Sequence, residues 1–262
     1  MSSLDNYRYV NLFRPRGRIL QIEVSVPDRL NALSRGVLDD LEKAFQYAFS
    51  DQETHAILLS GAGEKAFVAG ADIKELSKLS AQEGKILSER GQSLFQQIED
   101  SSKPVLCAVQ GYALGGGAEL AMACHLRVGS EDIRVGQPEI NLGTLPGYGG
   151  TQRLPRLIGL TKATELLLTG DTLDGKGALH YGWLNKLVPR GSLIEESLSL
   201  LEKIVKKSPL AVREILRCLR ASQTGDAYAI EAESFASLCD SYDFKEGTCA
   251  FLEKRSPSFQ GR

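Results

Sequence analysis

The longest apolar stretch of this chain, Val105 to Cys124, is broken in a way that admits few folds. Its opening residues, Val105-Leu-Cys-Ala-Val109, read as a strand. Gln110-Gly111 ends that run. Three consecutive glycines, Gly115 to Gly117, then lead into Ala118-Glu-Leu-Ala-Met-Ala123, which reads as a helix starting near Gly117. Gln110, four glycines and Glu119 interrupt the stretch, so it is not a membrane span. What remains is a buried strand that hands over to a buried helix through glycine.

The flanking sequence repeats that alternation. Ile19 to Val26 reads as a strand. Ser34 is placed to cap a helix carrying Val37, Leu38, Leu41, Ala44 and Phe45 on one face. Ala56-Ile-Leu-Leu59 is a short apolar strand ending at Gly61-Ala-Gly63, and Ile133-Arg-Val135 is another. Strands alternating with helices predict an α/β fold with crossover connections. From Ile194 onward the apolar residues recur only at helical spacing, and no strand-like run follows Val188. The expected organisation is a core over 1–193 and a helical region over 194–262.

Composition narrows the function. A net charge of −2 gives no general attraction to nucleic acid or to an anionic membrane. The five cysteines are odd in number, widely spaced and without a CxxC, so they form neither a disulfide framework nor a zinc pattern. Three scattered histidines show no metal-ligand spacing. Free thiols and an N-terminus without a secretory apolar core point to a reducing compartment, the cytoplasm.

The chemistry-bearing residues cluster around the glycines. Backbone N–H groups at a tight turn or helix start can stabilise a carbonyl oxygen as it gains charge. Gly116 is one candidate donor, and the Gly70-Ala71-Asp72 turn offers another. Glu119, in the first turn of an apolar helix, and Glu139, fixed behind Pro138, are candidate acid/base groups. Taken singly, each glutamate reads equally well as a surface residue, and spacing alone does not bring them together.

The ordered blocks Arg29-Leu-Asn-Ala-Leu33, Ala66-Phe-Val-Ala-Gly-Ala-Asp-Ile-Lys-Glu-Leu76, Gly111 to Glu119, Gly136-Gln-Pro-Glu-Ile140, Gly143 to Leu154 and Phe251-Leu-Glu-Lys-Arg255 make the chain resemble the crotonase (enoyl-CoA hydratase/isomerase) superfamily over nearly its full length. The resemblance implies a crotonase-like spiral of ββα units with a C-terminal helical region that makes trimer contacts, commonly stacked as a hexamer. It implies that the N–H groups of Ala71 and Gly116 form an oxyanion hole for an acyl-CoA thioester. Glu119 and Glu139 would hold the water that adds to a trans-2-enoyl-CoA, and having both favours a hydratase over an isomerase. The same resemblance points to Arg29, Leu30, Ala32 and Lys74 as CoA contacts, with Lys254 reaching CoA from a neighbouring subunit, and to Gln137 as an orienting residue. No metal or redox cofactor is implied, since CoA is part of the substrate. A role in fatty-acid metabolism is one pathway that fits. The alternatives are another crotonase reaction, such as methylglutaconyl-CoA hydration or double-bond isomerisation, or a non-catalytic RNA- or acyl-CoA-binding protein. Two residues depart from the family pattern. His125 is expected to be structural, and Trp183 to pack against the helical appendage.

Overall fold

Unbroken apolar runs such as Ala56–Leu59 and Val105–Val109 make stable strands only if both faces are covered. The computed structural model, which describes residues 7–222, 225 and 227–262, shows both faces covered. Its strands are β1 (Val10–Arg16), β2 (Ile19–Val24), β3 (Ala56–Gly61), β4 (Ala66–Val68), β5 (Val105–Val109), β6 (Tyr112–Leu114), β7 (Leu126–Ser130), β8 (Arg134–Gly136), β9 (Thr172–Asp174) and β10 (Lys186–Val188). Its helices are α1 (Arg35–Ser50), α2 (Ile73–Leu76), α3 (Ala81–Glu99), α4 (Gly116–Ala123), α5 (Gly150–Ile158), α6 (Leu160–Thr169), α7 (Gly175–His180), α8 (Leu193–Val205), α9 (Pro209–Ala221), α10 (Ala227–Cys239) and α11 (Tyr242–Leu252).

The strands form two sheets, ordered β1-β2-β3-β5-β7-β10 and β4-β6-β8-β9. Pairing is parallel except at one edge of each sheet, β1 with β2 and β8 with β9. The pairs β3/β4, β5/β6 and β7/β8 each place their first strand in the larger sheet and their second in the smaller. This is the expected α/β spiral of ββα units.

Residues along the central strands alternate between two cores. Ile57 and Leu59 of β3, with Val105, Cys107 and Val109 of β5, join the larger core, which α1 covers with Val37, Leu38, Leu41, Ala44 and Phe45. Ala56 and Leu58, with Leu106 and Ala108, face the other way, onto Leu193, Leu198 and Leu201 of α8. The boundary expected at 193/194 therefore falls within a helix that packs on the sheet. Helix α1 starts as its sequence predicts, with the Ser34 hydroxyl accepting from the Val37 N–H at 3.3 Å.

Trp183 departs from expectation. It is fully buried in the larger core, which among the described residues contains none from the C-terminal helices. Its carbonyl accepts from Arg127 Nε at 2.7 Å, and the same guanidinium lies over the indole ring. Buried Arg127 thus ties Trp183 to β7 instead of to the appendage. His125 is half-buried and accepts from the Val105 N–H at 3.0 Å; burial pushes its pKa down to about 4. It is a neutral clasp at the start of β5.

Helices α9 to α11 leave Ile215, Leu219, Tyr228, Phe235, Phe251 and Leu252 exposed. No helix among the described residues is long and apolar enough to cross a membrane.

Candidate active site

The cradle is built by close backbone approach. A Cβ on Gly117 would overlap the carbonyl oxygen of Val68, so only glycine lets α4 sit against the end of β4. That contact brings the start of α4 beside the turn that follows β4. In that turn the Leu33 N–H donates to Gly70 O at 2.8 Å, and the Asp72 N–H donates to Leu33 O at 3.2 Å. The N–H of Ala71, between them, makes no hydrogen bond among the described residues. The N–H of Gly116, the first residue of α4, is likewise unpartnered, as helix-start geometry requires. Both residues line a cavity of about 760 Å³.

Glu119 and Glu139 line the same cavity. Glu119 is 1% exposed, and its Oε1 accepts from the N–H groups of Tyr148 (2.8 Å) and Gly150 (2.7 Å). Its Oε2 has no hydrogen-bond partner among the described residues, yet it is not a sealed atom, so it opens on the cavity. Burial raises the Glu119 pKa to about 7. The Gly150 and Tyr148 N–H groups and the charge of Arg153 act against that rise, and nearby Glu139 adds to it.

Glu139 stands on a single turn of 3-10 helix, Pro138–Leu142, directly after β8. Burial raises its pKa as well. Gln137, itself buried, sets its side-chain amide against both Glu139 oxygens, and with the nitrogen assigned to that side it donates to them at 3.1 and 3.2 Å. Gly115 is left-handed, with φ 49°, and a Cβ there would lie 2.6 Å from Glu139 Oε1. The second carboxylate therefore abuts the residue just before the helix that carries the first.

The expected CoA contacts do not line the cavity. Leu30 and Ala32 run alongside the turn that carries Ala71, where Leu30 O accepts from the Ala69 N–H at 3.0 Å. Exposed Arg29 lies 3.9 Å from Asp72, whose side chain caps α2 through the Lys74 N–H at 2.9 Å, so Arg29 and Lys74 flank one carboxylate outside the cavity. Lys254 follows α11, with φ 57°.

The residue reading passed over the wall made by the Gly147–Gly150 turn. Tyr148 supplies one N–H to Glu119, and its ring packs edge-on against Phe95. The signal available was the glycine cluster ahead of α5.

The enoyl-CoA hydratase/isomerase family profile matches residues 15–262. The chain belongs to this family. It is 42% identical over 236 residues to a probable enoyl-CoA hydratase of Bacillus subtilis, covering 88% of this chain and 91% of that one. It is 38% identical over 247 residues to the short-chain-enoyl-CoA hydratase of Clostridium acetobutylicum, covering 93% and 95%. Among solved structures, the enoyl-CoA hydratase from Bacillus anthracis superposes with a TM-score of 0.94 at 32% identity, covering 97% of this chain and all of that one. Membership in the enoyl-CoA hydratase/isomerase family accounts for a spiral fold whose glycines bring two open N–H groups beside two carboxylates.

Proposed function

We propose that the chain catalyses the reversible addition of water across the 2,3 double bond of a trans-2-enoyl-CoA, giving a 3-hydroxyacyl-CoA. The observation that carries this reading is the convergence of Glu119 and Glu139 on the cavity that Ala71 and Gly116 line. The relatives named as hydratases, similar over most of both chains, support it.

In this reading the thioester oxygen accepts from the Ala71 and Gly116 N–H groups, and the positive end of α4 adds to their effect. Negative charge then builds on that oxygen as water attacks C3. One glutamate takes a proton from the water, the other delivers a proton to C2, and the pair returns to its starting protonation after exchange with solvent. Raised pKa values suit both tasks: Glu119, at about 7, gives and takes a proton with little bias, and burial pushes Glu139 in the same direction. No metal or redox cofactor enters the reaction, and CoA arrives as part of the substrate. Lys74 meets the CoA phosphates, as does Lys254 from a neighbouring subunit of a homotrimer or a dimer of trimers, and backbone at Arg29, Leu30 and Ala32 lines the CoA site. The exposed apolar side chains of α9 to α11 supply the trimer contacts. The protein works in the cytoplasm, and fatty-acid metabolism is one pathway it serves.

The test is the loss of ultraviolet absorbance of crotonyl-CoA on adding purified protein, with the product identified. Rapid loss with 3-hydroxybutyryl-CoA formed supports the reading. Inertness toward crotonyl-CoA and toward longer and branched enoyl-CoAs would remove it.

A further inference from the structure

Behind Glu119 lies a charged layer that the proposed chemistry leaves unused. Arg153, on the first turn of α5, is 5% exposed. Its Nε donates to Glu99 Oε2, at the end of α3, and its Nη1 donates to the Tyr148 carbonyl, both at 2.8 Å. The N–H of the same Tyr148 donates to Glu119 Oε1. Arg153 also holds the far side of the turn, through its own N–H to Gly149 O at 2.9 Å. Gly149 is left-handed, with φ 102°, and a Cβ there would run into Arg153 Nη1, so the turn is shaped around the guanidinium. Glu99 is held in turn by Arg156, at 3.1 Å.

Holding α3 to α5 does not in itself require charge, and burying an arginine costs several kcal/mol before its partners offset it. A fixed cation close to a buried carboxylate does have an electrostatic effect that an apolar residue lacks. The charged and titratable groups around Glu119 are Glu139 on the turn after β8, Tyr148 and Arg153, with Glu99 behind Arg153 and with Glu75 and Arg90 acting on Tyr148. Of those acting directly on Glu119, Glu139 disfavours its ionised form and Arg153 favours it.

We propose that Arg153, anchored by Glu99, is a positioning residue for Glu119: it locks the 148–150 turn so that Oε1 is pinned and Oε2 faces the cavity, and its charge favours the carboxylate. The inference rests on the hydratase reading only in taking Glu119 as a reacting group.

The test is an infrared titration of the wild type, R153M and R153K, using the carboxylate band that disappears in E119Q. In R153M the midpoint moves to higher pH by about one unit. In R153K, which keeps the charge and loses the two-pronged grip, it stays near the wild-type value. In turnover, kcat for crotonyl-CoA falls about tenfold or more in both variants while KM changes little, as misplacement of a reacting group predicts. The limb of the pH–rate profile that Glu119 governs moves up in R153M only. An unmoved midpoint in folded R153M overturns the proposal. If R153M does not fold, R153K decides: a change confined to KM, or a kcat loss no larger than its unfolded fraction, overturns it. The infrared midpoint needs no turnover. A wild type inert toward enoyl-CoA would therefore remove the hydratase reading and leave the Arg153–Glu119 coupling to be judged separately.

Discussion

The cavity has two unlike walls. The inner wall, from β4 and α4 to the turn at 148–150, is buried, and its polar groups are pinned by backbone: Glu119 Oε1 holds two N–H donors, and Gly117 leaves no room for even a methyl group. The outer wall, Leu142 to Leu145, runs on from the last residue of the 3-10 turn and exposes Leu142 and Leu145. The difference separates two jobs. Groups that move protons need fixed positions, which close packing supplies. Apolar side chains at a rim need only present surface to an acyl chain, and they tolerate variation there.

The largest expected effect is at the two carboxylates, Glu119 on the inner wall and Glu139 on the 3-10 turn that leads into the outer one. E119A and E139A are each expected to lower kcat by about 10²–10⁴-fold while melting cooperatively. Near-normal turnover in either variant would take that residue out of the chemistry. G117A is next. Its methyl has to push α4 away from Val68, so stability is expected to fall by about 3 kcal/mol and activity with it, read by denaturant midpoint and assay. A tolerated G117A would mean that the inner wall is softer than its packing indicates.

A third prediction concerns what the fixed wall costs. In the fold, the Glu119 pKa is raised from 4.5 to about 7, so the native state binds the proton more tightly than the unfolded chain does. That contribution is complete below about pH 4.5 and is lost as pH rises through 7. E119Q, which keeps an oxygen for both N–H groups, should melt near the wild-type temperature at pH 4.5 and a few degrees above it at pH 8. An equal difference at both values would show that Glu119 is not destabilised by burial. The smallest effect belongs to the outer wall. L145A is expected to leave crotonyl-CoA turnover within about twofold and to raise KM for longer enoyl-CoAs by a few-fold. A large loss on crotonyl-CoA would erase the distinction between the walls.

The sequence was readable where burial is two-sided or periodic. β3, β5 and α1 lie where their apolar residues put them, and β8 lies within one residue of the expected run. Three-residue strands such as β4 and β6 carry no period to detect. Helix α3 had its signals, a Ser80–Glu83 capping box and a stripe of Leu87, Leu94, Phe95 and Ile98 at helical spacing; what the sequence could not show is that Gly84 would line the cavity and Gly91 would lie against the Tyr148 ring. Ala71, Gly116, Glu119 and Glu139 were found as parts. Their convergence depends on the Gly117–Val68 approach and on the left-handed Gly115, which are tertiary facts. Arg153 was missed because a buried arginine looks like a surface one until its partners are known.

Glu139 abuts Gly115, and Glu119 rises from the helix that begins one residue later, so a single stretch of backbone fixes both acids relative to Ala71 and Gly116. On the proposed reaction this bears on handedness. An enoyl group held at those two N–H groups would meet fixed proton donors and acceptors, so the alcohol would form as a single enantiomer, and in heavy water the deuterium would enter one prochiral position.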